Sequence, residues 1–166
     1  QENLALMYYY GKGVERDFSE AAEWFRLAAE QGLPKSQGYL GDMYYYGRGV
    51  PVDHKKSAHF FHLAAEQRDV SSQYQLGVLY LNGEGVEQDD AIAAEWFRQA
   101  AEQGDELAQY NLGAMYENGW GVEQDVGEAV KWYAMAGQQG LEEAQAVLQE
   151  LAESGVEAAI DAVKDE

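Results

Sequence analysis

The chain has 166 residues, 46% of them hydrophobic, with no cysteine and a formal net charge of −19. That length suits one compact domain or a short repeat array; the absence of thiols excludes disulfides and cysteine chemistry, and no apolar run approaches the roughly 20 residues a membrane helix needs. The charge is uneven: residues 1–68 carry 8 Lys/Arg against 9 Asp/Glu, residues 69–166 carry 3 against 21, so the second half repels phosphate backbones and anionic lipid surfaces and argues against both as partners.

Taken in order, the pattern predicts a helix over 1–10 with Leu4 and Tyr8 on its packing face. A turn follows at Gly11 and Gly13-Val14, and Asp17 stands at the N-cap of a second helix over 18–31. That second helix carries Ala21, Trp24, Phe25, Ala28 and Ala29 at i, i+3, i+4, i+7, i+8, one apolar stripe. The same unit returns every 36 residues. Leu40-Gly41, Tyr44, Gly47, Gly49-Val50 and Asp53 open the second copy; Leu76-Gly77, Tyr80, Gly83, Gly85-Val86 and Asp89 the third; Leu112-Gly113, Tyr116, Gly119, Gly121-Val122 and Asp125 the fourth. The further helices are expected over 35–46, 54–67, 71–82, 90–103, 107–118, 126–139, 142–154 and 156–165. Asp17 with Glu20, and Asp125 with Glu128, fit a D-x-x-E capping box. Gly32, Gly104 and Gly140 close the second helices, with Arg68 in that place in the second copy.

The expected organisation is therefore one all-α repeat domain over 1–166. Its units run approximately 1–35, 36–71, 72–107 and 108–143, followed by a degenerate repeat and capping helix over 144–166. Ala144, Leu148 and Gly155-Val156 keep the pattern there, whereas Gln149, Ala152 and Glu157 depart from it. Gln1 aligns with Gln109, inside a first helix, and no polar cap precedes it. Solenoid ends need caps, so the pattern predicts a fragment of a longer array.

The residue types that could carry chemistry fall within this periodicity. The glycine pairs lack the Gly-Lys-Ser/Thr that follows in a phosphate-binding loop, and their recurrence in every unit marks helix ends. His54, His59 and His62 share one segment, but no other unit supplies convergent ligands, so no metal or other cofactor is expected. Carboxylates are abundant without a distinct isolated pair, and no serine or cysteine nucleophile motif is present, so no enzymatic activity and no catalytic residue is expected.

The pattern A-x-x-x-L-G-x-x-Y-x-x-G-x-G-V-x-x-D-x-x-x-A-x-x-W-[FY]-x-x-A-A-x-x-G resembles the Sel-1-like repeat (SLR) family, relatives of tetratricopeptide repeats, over nearly the whole chain. The resemblance implies a right-handed α-solenoid of antiparallel helix pairs, about four and a half repeats with a C-terminal capping helix. It also implies a bacterial source, a periplasmic or secreted location with a cytoplasmic one still open, and a non-enzymatic adaptor that binds a protein or peptide on its concave face. No nucleic acid partner and no membrane insertion are expected, and the chain is expected to be a monomer.

By analogy with tetratricopeptide geometry, the first helix of each unit lines that face and the positions left free by the repeat contact the ligand. These are Tyr9 and Tyr10 in the first unit, Gly38, Asp42, Tyr45 and Tyr46 in the second, Tyr74, Val78, Leu81 and Asn82 in the third, and Tyr110, Ala114, Glu117 and Asn118 in the fourth. The candidate protein-binding set is Tyr9, Tyr10, Asp42, Tyr45, Tyr46, Tyr74, Val78, Asn82, Tyr110, Glu117 and Asn118. Tyrosine joins large contact area to low entropy cost at interfaces. In the runs Tyr8-Tyr9-Tyr10 and Tyr44-Tyr45-Tyr46 the first tyrosine is the packing residue of the repeat; the other two either bind or pack on neighbouring helices. Asp42, Glu117 and Glu150 add charge for a basic or polar peptide. Two rival readings stand beside the adaptor: spacer repeats inside a longer solenoid, and a hydrolase acting on cell-wall or lactam substrates, an activity the resemblance brings with it.

Overall fold

Each glycine pair of the sequence ends one helix and starts the approach to the next. In the computed structural model, which describes residues 1–164, these breaks separate ten helices: α1 Glu2–Tyr10, α2 Phe18–Ala29, α3 Pro34–Tyr46, α4 His54–Ala65, α5 Val70–Asn82, α6 Asp90–Ala101, α7 Glu106–Asn118, α8 Val126–Gln138, α9 Glu142–Glu153 and α10 Glu157–Lys164. No strand occurs among the described residues. The expected end of the last helix at residue 165 lies outside them. Two compact units are distinguished, Gln1–Gln88 and a second beginning at Asp89. Each is a series of antiparallel helix pairs in which consecutive helices pack together.

The repeat aspartates do what their position requires. The Asp17 carboxylate accepts from the backbone N–H of Ser19 at 2.8 Å and Glu20 at 3.0 Å, Asp89 from Ala91 at 2.9 Å and Ile92 at 3.0 Å, and Asp125 from Glu128 at 3.0 Å. They satisfy donors that the first helical turn leaves without partners. The capping box itself is incomplete. The N–H of Asp17 donates to the Tyr8 carbonyl at 3.0 Å and that of Asp125 to the Tyr116 carbonyl at 2.9 Å, so the loop is tied back onto the preceding helix. Glu128 then pairs with Lys131 instead. Two further caps were not anticipated: Asp69 accepts from Ser72 N–H at 2.9 Å and Asp105 from Ala108 N–H at 2.8 Å, which starts α5 and α7 one residue earlier than expected.

In the second, third and fourth pairs the second glycine has a packing reason as well as a conformational one. A Cβ on Gly49 would lie 2.2 Å from the Phe18 carbonyl oxygen, and one on Gly121 would lie 2.2 Å from that of Asp90. The loop after α3 therefore presses its backbone onto the start of α2, and the loop after α7 onto the start of α6. Only a residue without a side chain permits that approach.

A second recurring device is a glutamine near the start of the first helix. Gln37, Gln73, Gln109 and Gln145 donate their side-chain amides to the carbonyls of Ala29 at 3.3 Å, Ala65 at 3.1 Å, Ala101 at 3.0 Å and Gly137 at 3.0 Å. Those carbonyls belong to the last turn of the preceding helix, where intrahelical partners run out. Gln37, Gln73 and Gln109 are buried, and the Gln37 and Gln109 side-chain oxygens accept from Gln67 and Gln139, each at 2.8 Å.

The cores follow the predicted stripes. In the first unit Ala21, Phe25, Leu40, Met43 and Tyr44 are buried together with Ala5 and Tyr9. In the second, Ala129, Val130, Tyr133 and Ala136 pack with Ala144, Leu148 and Ala159, so α9 and α10 close that core as a cap.

Candidate functional site

The helix spacing of the first unit brings one face of α1, α3 and α5 together. On α3 that face carries Lys35, Tyr39, Asp42 and Tyr46, at i, i+4, i+7 and i+11, and on α5 it carries Ser71, Gln75, Val78 and Asn82. A groove of about 420 Å³ lies there, with Tyr10, Lys35, Tyr39, Asp42, Asp69 and Gln75 among its lining residues. The Tyr10 and Tyr39 hydroxyls are 3.0 Å apart across it. The Tyr39 ring stacks on Phe25 at 4.7 Å, nearly parallel, which holds it against the core. Burial, and the bond to Tyr10 after it, pushes the Tyr39 phenol above its ordinary value.

Asp42 is half-buried and its carboxyl is pushed above the ordinary carboxylate range, first by burial; Arg48 opposes the shift and Asp69 adds to it. Arg48 does not pair with Asp42. Its guanidinium donates to the Tyr9 hydroxyl at 2.5 Å and lies 4.8 Å from the centre of the Tyr46 ring. The Asp69 carboxylate is engaged by the start of α5, accepting from the Ser72 hydroxyl at 2.6 Å as well as from its N–H.

The tyrosine runs divide in a way their spelling does not reveal. Tyr9 is 8% exposed, buried edge-to-face among Phe18, Phe25, Tyr39 and Tyr10, whereas Tyr8 is only half-buried. In the first run, then, the second tyrosine is the deeper one, contrary to the expectation that the first would be. Tyr45 is its repeat equivalent. Its hydroxyl donates to Glu84 at 2.6 Å, and its ring meets Tyr46 at 4.8 Å and His54 at 5.0 Å, edge to face. The hydrogen bond to Glu84, and burial after it, pushes the Tyr45 phenol up to about 12. Tyr9 with Arg48 and Tyr45 with Glu84 are the same tie, from the second tyrosine to the residue between the next unit's loop glycines. The third tyrosines, Tyr10 and Tyr46, stand 52% and 54% exposed.

In the second unit the corresponding positions are less aromatic. Tyr110 lies tilted against Tyr133 at 5.5 Å, and Glu117 accepts from the Tyr133 hydroxyl at 2.7 Å, so both are engaged by α8. Asn118 is exposed and donates to its own helix at the Ala114 carbonyl, 2.9 Å away. Asn82 of the first unit is exposed; Tyr74 and Val78 are half-buried. Sequence reasoning missed Tyr39, Lys35 and Gln75. The signal was the heptad-like stripe running N-terminally from Asp42 and Val78, one and two turns up the same face. Of the three histidines, His54 packs on Tyr45, His59 on Phe60, and the His62 ring nitrogen Nε2 lies 3.1 Å from the Tyr80 hydroxyl. Among the described residues no three His, Asp or Glu side chains gather to hold a metal ion, and no helix is long and apolar enough to cross a membrane.

The family model described as Sel1 repeat matches residues 1–33, 34–69, 70–105 and 107–141. The chain belongs to the Sel1 repeat family. This Sel1 repeat chain is similar to the protective antigen c5321 of uropathogenic Escherichia coli strains, a crystal structure displaying an SLR fold. The identity is 41% and the TM-score 0.92, over 97% of this chain and 36% of that one. It is also similar to a Sel1 repeat protein from Oxalobacter formigenes, at 34% identity and TM-score 0.86, over 90% of this chain and 62% of that one. This chain thus spans less than two thirds of either. Cysteine-rich protein B of Helicobacter pylori shares the fold, at 23% identity and TM-score 0.63, over 82% of this chain and 98% of that one. No curated protein is significantly similar to the chain. The fold is an all-α solenoid of Sel1 helix pairs, built here without a single cysteine.

Proposed function

We propose that this Sel1 repeat chain is a non-catalytic scaffold that binds an extended segment of a protein along the face of its first helices. In the first unit the contact band would be Tyr10, Tyr39, Asp42, Tyr46, Val78 and Asn82, with Tyr9 and Tyr45 holding the band in place from beneath. The observation that carries the reading is the pair of exposed third tyrosines: Tyr10, which lines the groove, and Tyr46, one turn beyond Asp42 on the same face of α3. Exposed aromatic area next to a concave polar lining favours recognition. The repeat aspartates, which dominate the loop chemistry, are engaged as caps, and this supports a structural use of those carboxylates over acid–base catalysis. The second unit offers Asn118 at the equivalent repeat position, with Tyr110 and Glu117 contributing through their contact with Tyr133.

The test is the double variant Tyr10→Ala/Tyr46→Ala in the full-length protein. Both side chains are exposed, so stability should change by no more than about 1 kcal/mol, while capture of the protein's interaction partners is lost. Unchanged capture would reject the band. Capture of a partner by any longer form of the protein that residues 1–166 alone cannot reproduce would instead favour a spacer role, the reading to which the short share of the longer relatives lends support.

A further inference from the structure

In the groove of the first unit the Asp42 carboxylate has no ion-pair partner among the described residues. We infer that the Asp42 end of this groove receives a basic side chain, Lys or Arg, of an extended peptide segment. The inference rests on the scaffold reading above and adds the chemistry of the bound segment.

Four observations point the same way. The Asp42 carboxylate takes part in none of the ion pairs or side-chain hydrogen bonds found among the described residues, although the residue is half-buried. Its nearest cation, Arg48, is held elsewhere by the Tyr9 hydroxyl and the Tyr46 ring. Its carboxylate neighbour, Asp69, is committed to capping α5, which adds negative potential without supplying a donor. Lys35, the groove's own ammonium, sits two turns away on α3, about 10 Å along the helix axis. A carboxylate taken partly out of water with no partner is costly. A ligand that brings a cation removes that cost, and the neighbouring tyrosine faces attract the same charge. A neutral hydrogen-bond donor would satisfy the oxygens but leave the charge uncompensated, so the basic side chain is the better complement.

The raised carboxyl of Asp42 agrees with this geometry, with burial as the first cause. Since the folded-state value lies above the unfolded one, the group favours folding below its ordinary pKa, and that contribution is lost as pH rises through the folded value. In its ionised form Asp42 therefore works against stability, as expected of a residue kept for binding.

Phage-displayed random linear 12-residue peptides, selected on the full chain at about 0.15 M salt to screen the acidic surface, provide the probe. The expected result is a family of peptides with Lys or Arg fixed at one position. The best of these binds Asp42→Asn about tenfold more weakly, binds Glu142→Gln/Glu143→Gln unchanged, and Asp42→Asn unfolds at the same temperature or higher. Peptides enriched without a fixed basic residue, or undiminished binding to Asp42→Asn, would overturn the inference and leave the scaffold reading intact. The inference also fails if only the Glu142/Glu143 variant weakens binding. No enrichment over a blank support would overturn both.

Discussion

Arg68 shows how firmly single positions are dictated by the repeat. Among the described residues it is the one non-glycine with positive φ, at 67°, where the equivalent Gly32, Gly104 and Gly140 adopt 83°, 95° and 97°. A left-handed residue with a Cβ costs roughly 1–2 kcal/mol, partly offset by the 0.5–1 kcal/mol that glycine loses in chain entropy. Arg68→Gly should therefore raise stability by about 0.5–1 kcal/mol, read as a higher urea midpoint with an unchanged slope; a fall would mean that the Arg68 side chain contributes more than its backbone costs. At the same scale the glutamines were hidden from sequence reasoning. Gln37, Gln73 and Gln109 spell a polar residue in an amphipathic helix, and only the structure places each amide on a carbonyl of the preceding helix. Tyr9 and Tyr45 were ambiguous for a related reason: a tyrosine's ring and hydroxyl can satisfy packing and surface alike.

Helices and turns were legible because every local signal agreed with the period. Caps, glycines and apolar stripes recur at 36 residues, and the observed helices fall within about two residues of the expected ones. The end positions shifted where a cap was not recognised, as at Asp69 and Asp105. What the period could not distinguish is why each glycine is glycine. Gly104 has open space around its missing Cβ, whereas Gly121 abuts the start of α6. Gly104→Ala should cost about 1 kcal/mol from backbone strain alone, and Gly121→Ala about 2–4 kcal/mol because steric displacement is added. Thermal or urea unfolding of the two single variants checks the contrast; equal losses would show that the loop after α7 yields freely.

For the molecule as a whole, fold and family were readable from the repeat, but the lining of the first unit's groove was only half readable. In the first unit the expected set held the C-terminal half of the proposed stripe, Asp42, Tyr46, Val78 and Asn82, and omitted Lys35, Tyr39 and Gln75 one and two turns earlier. Repetition explains the limit: it marks the residues that build the solenoid, while ligand positions are defined by differing from one unit to the next, and only the packing shows which of those differences face the groove. The central claim is that a partner lies along the first-helix face, and site-specific photocrosslinking in the full-length protein tests it most directly. A photoreactive residue at Tyr46 or Gln75 should capture the partner and one at His59, exposed on α4, should not; capture from His59 with none from Tyr46 or Gln75 would contradict the account.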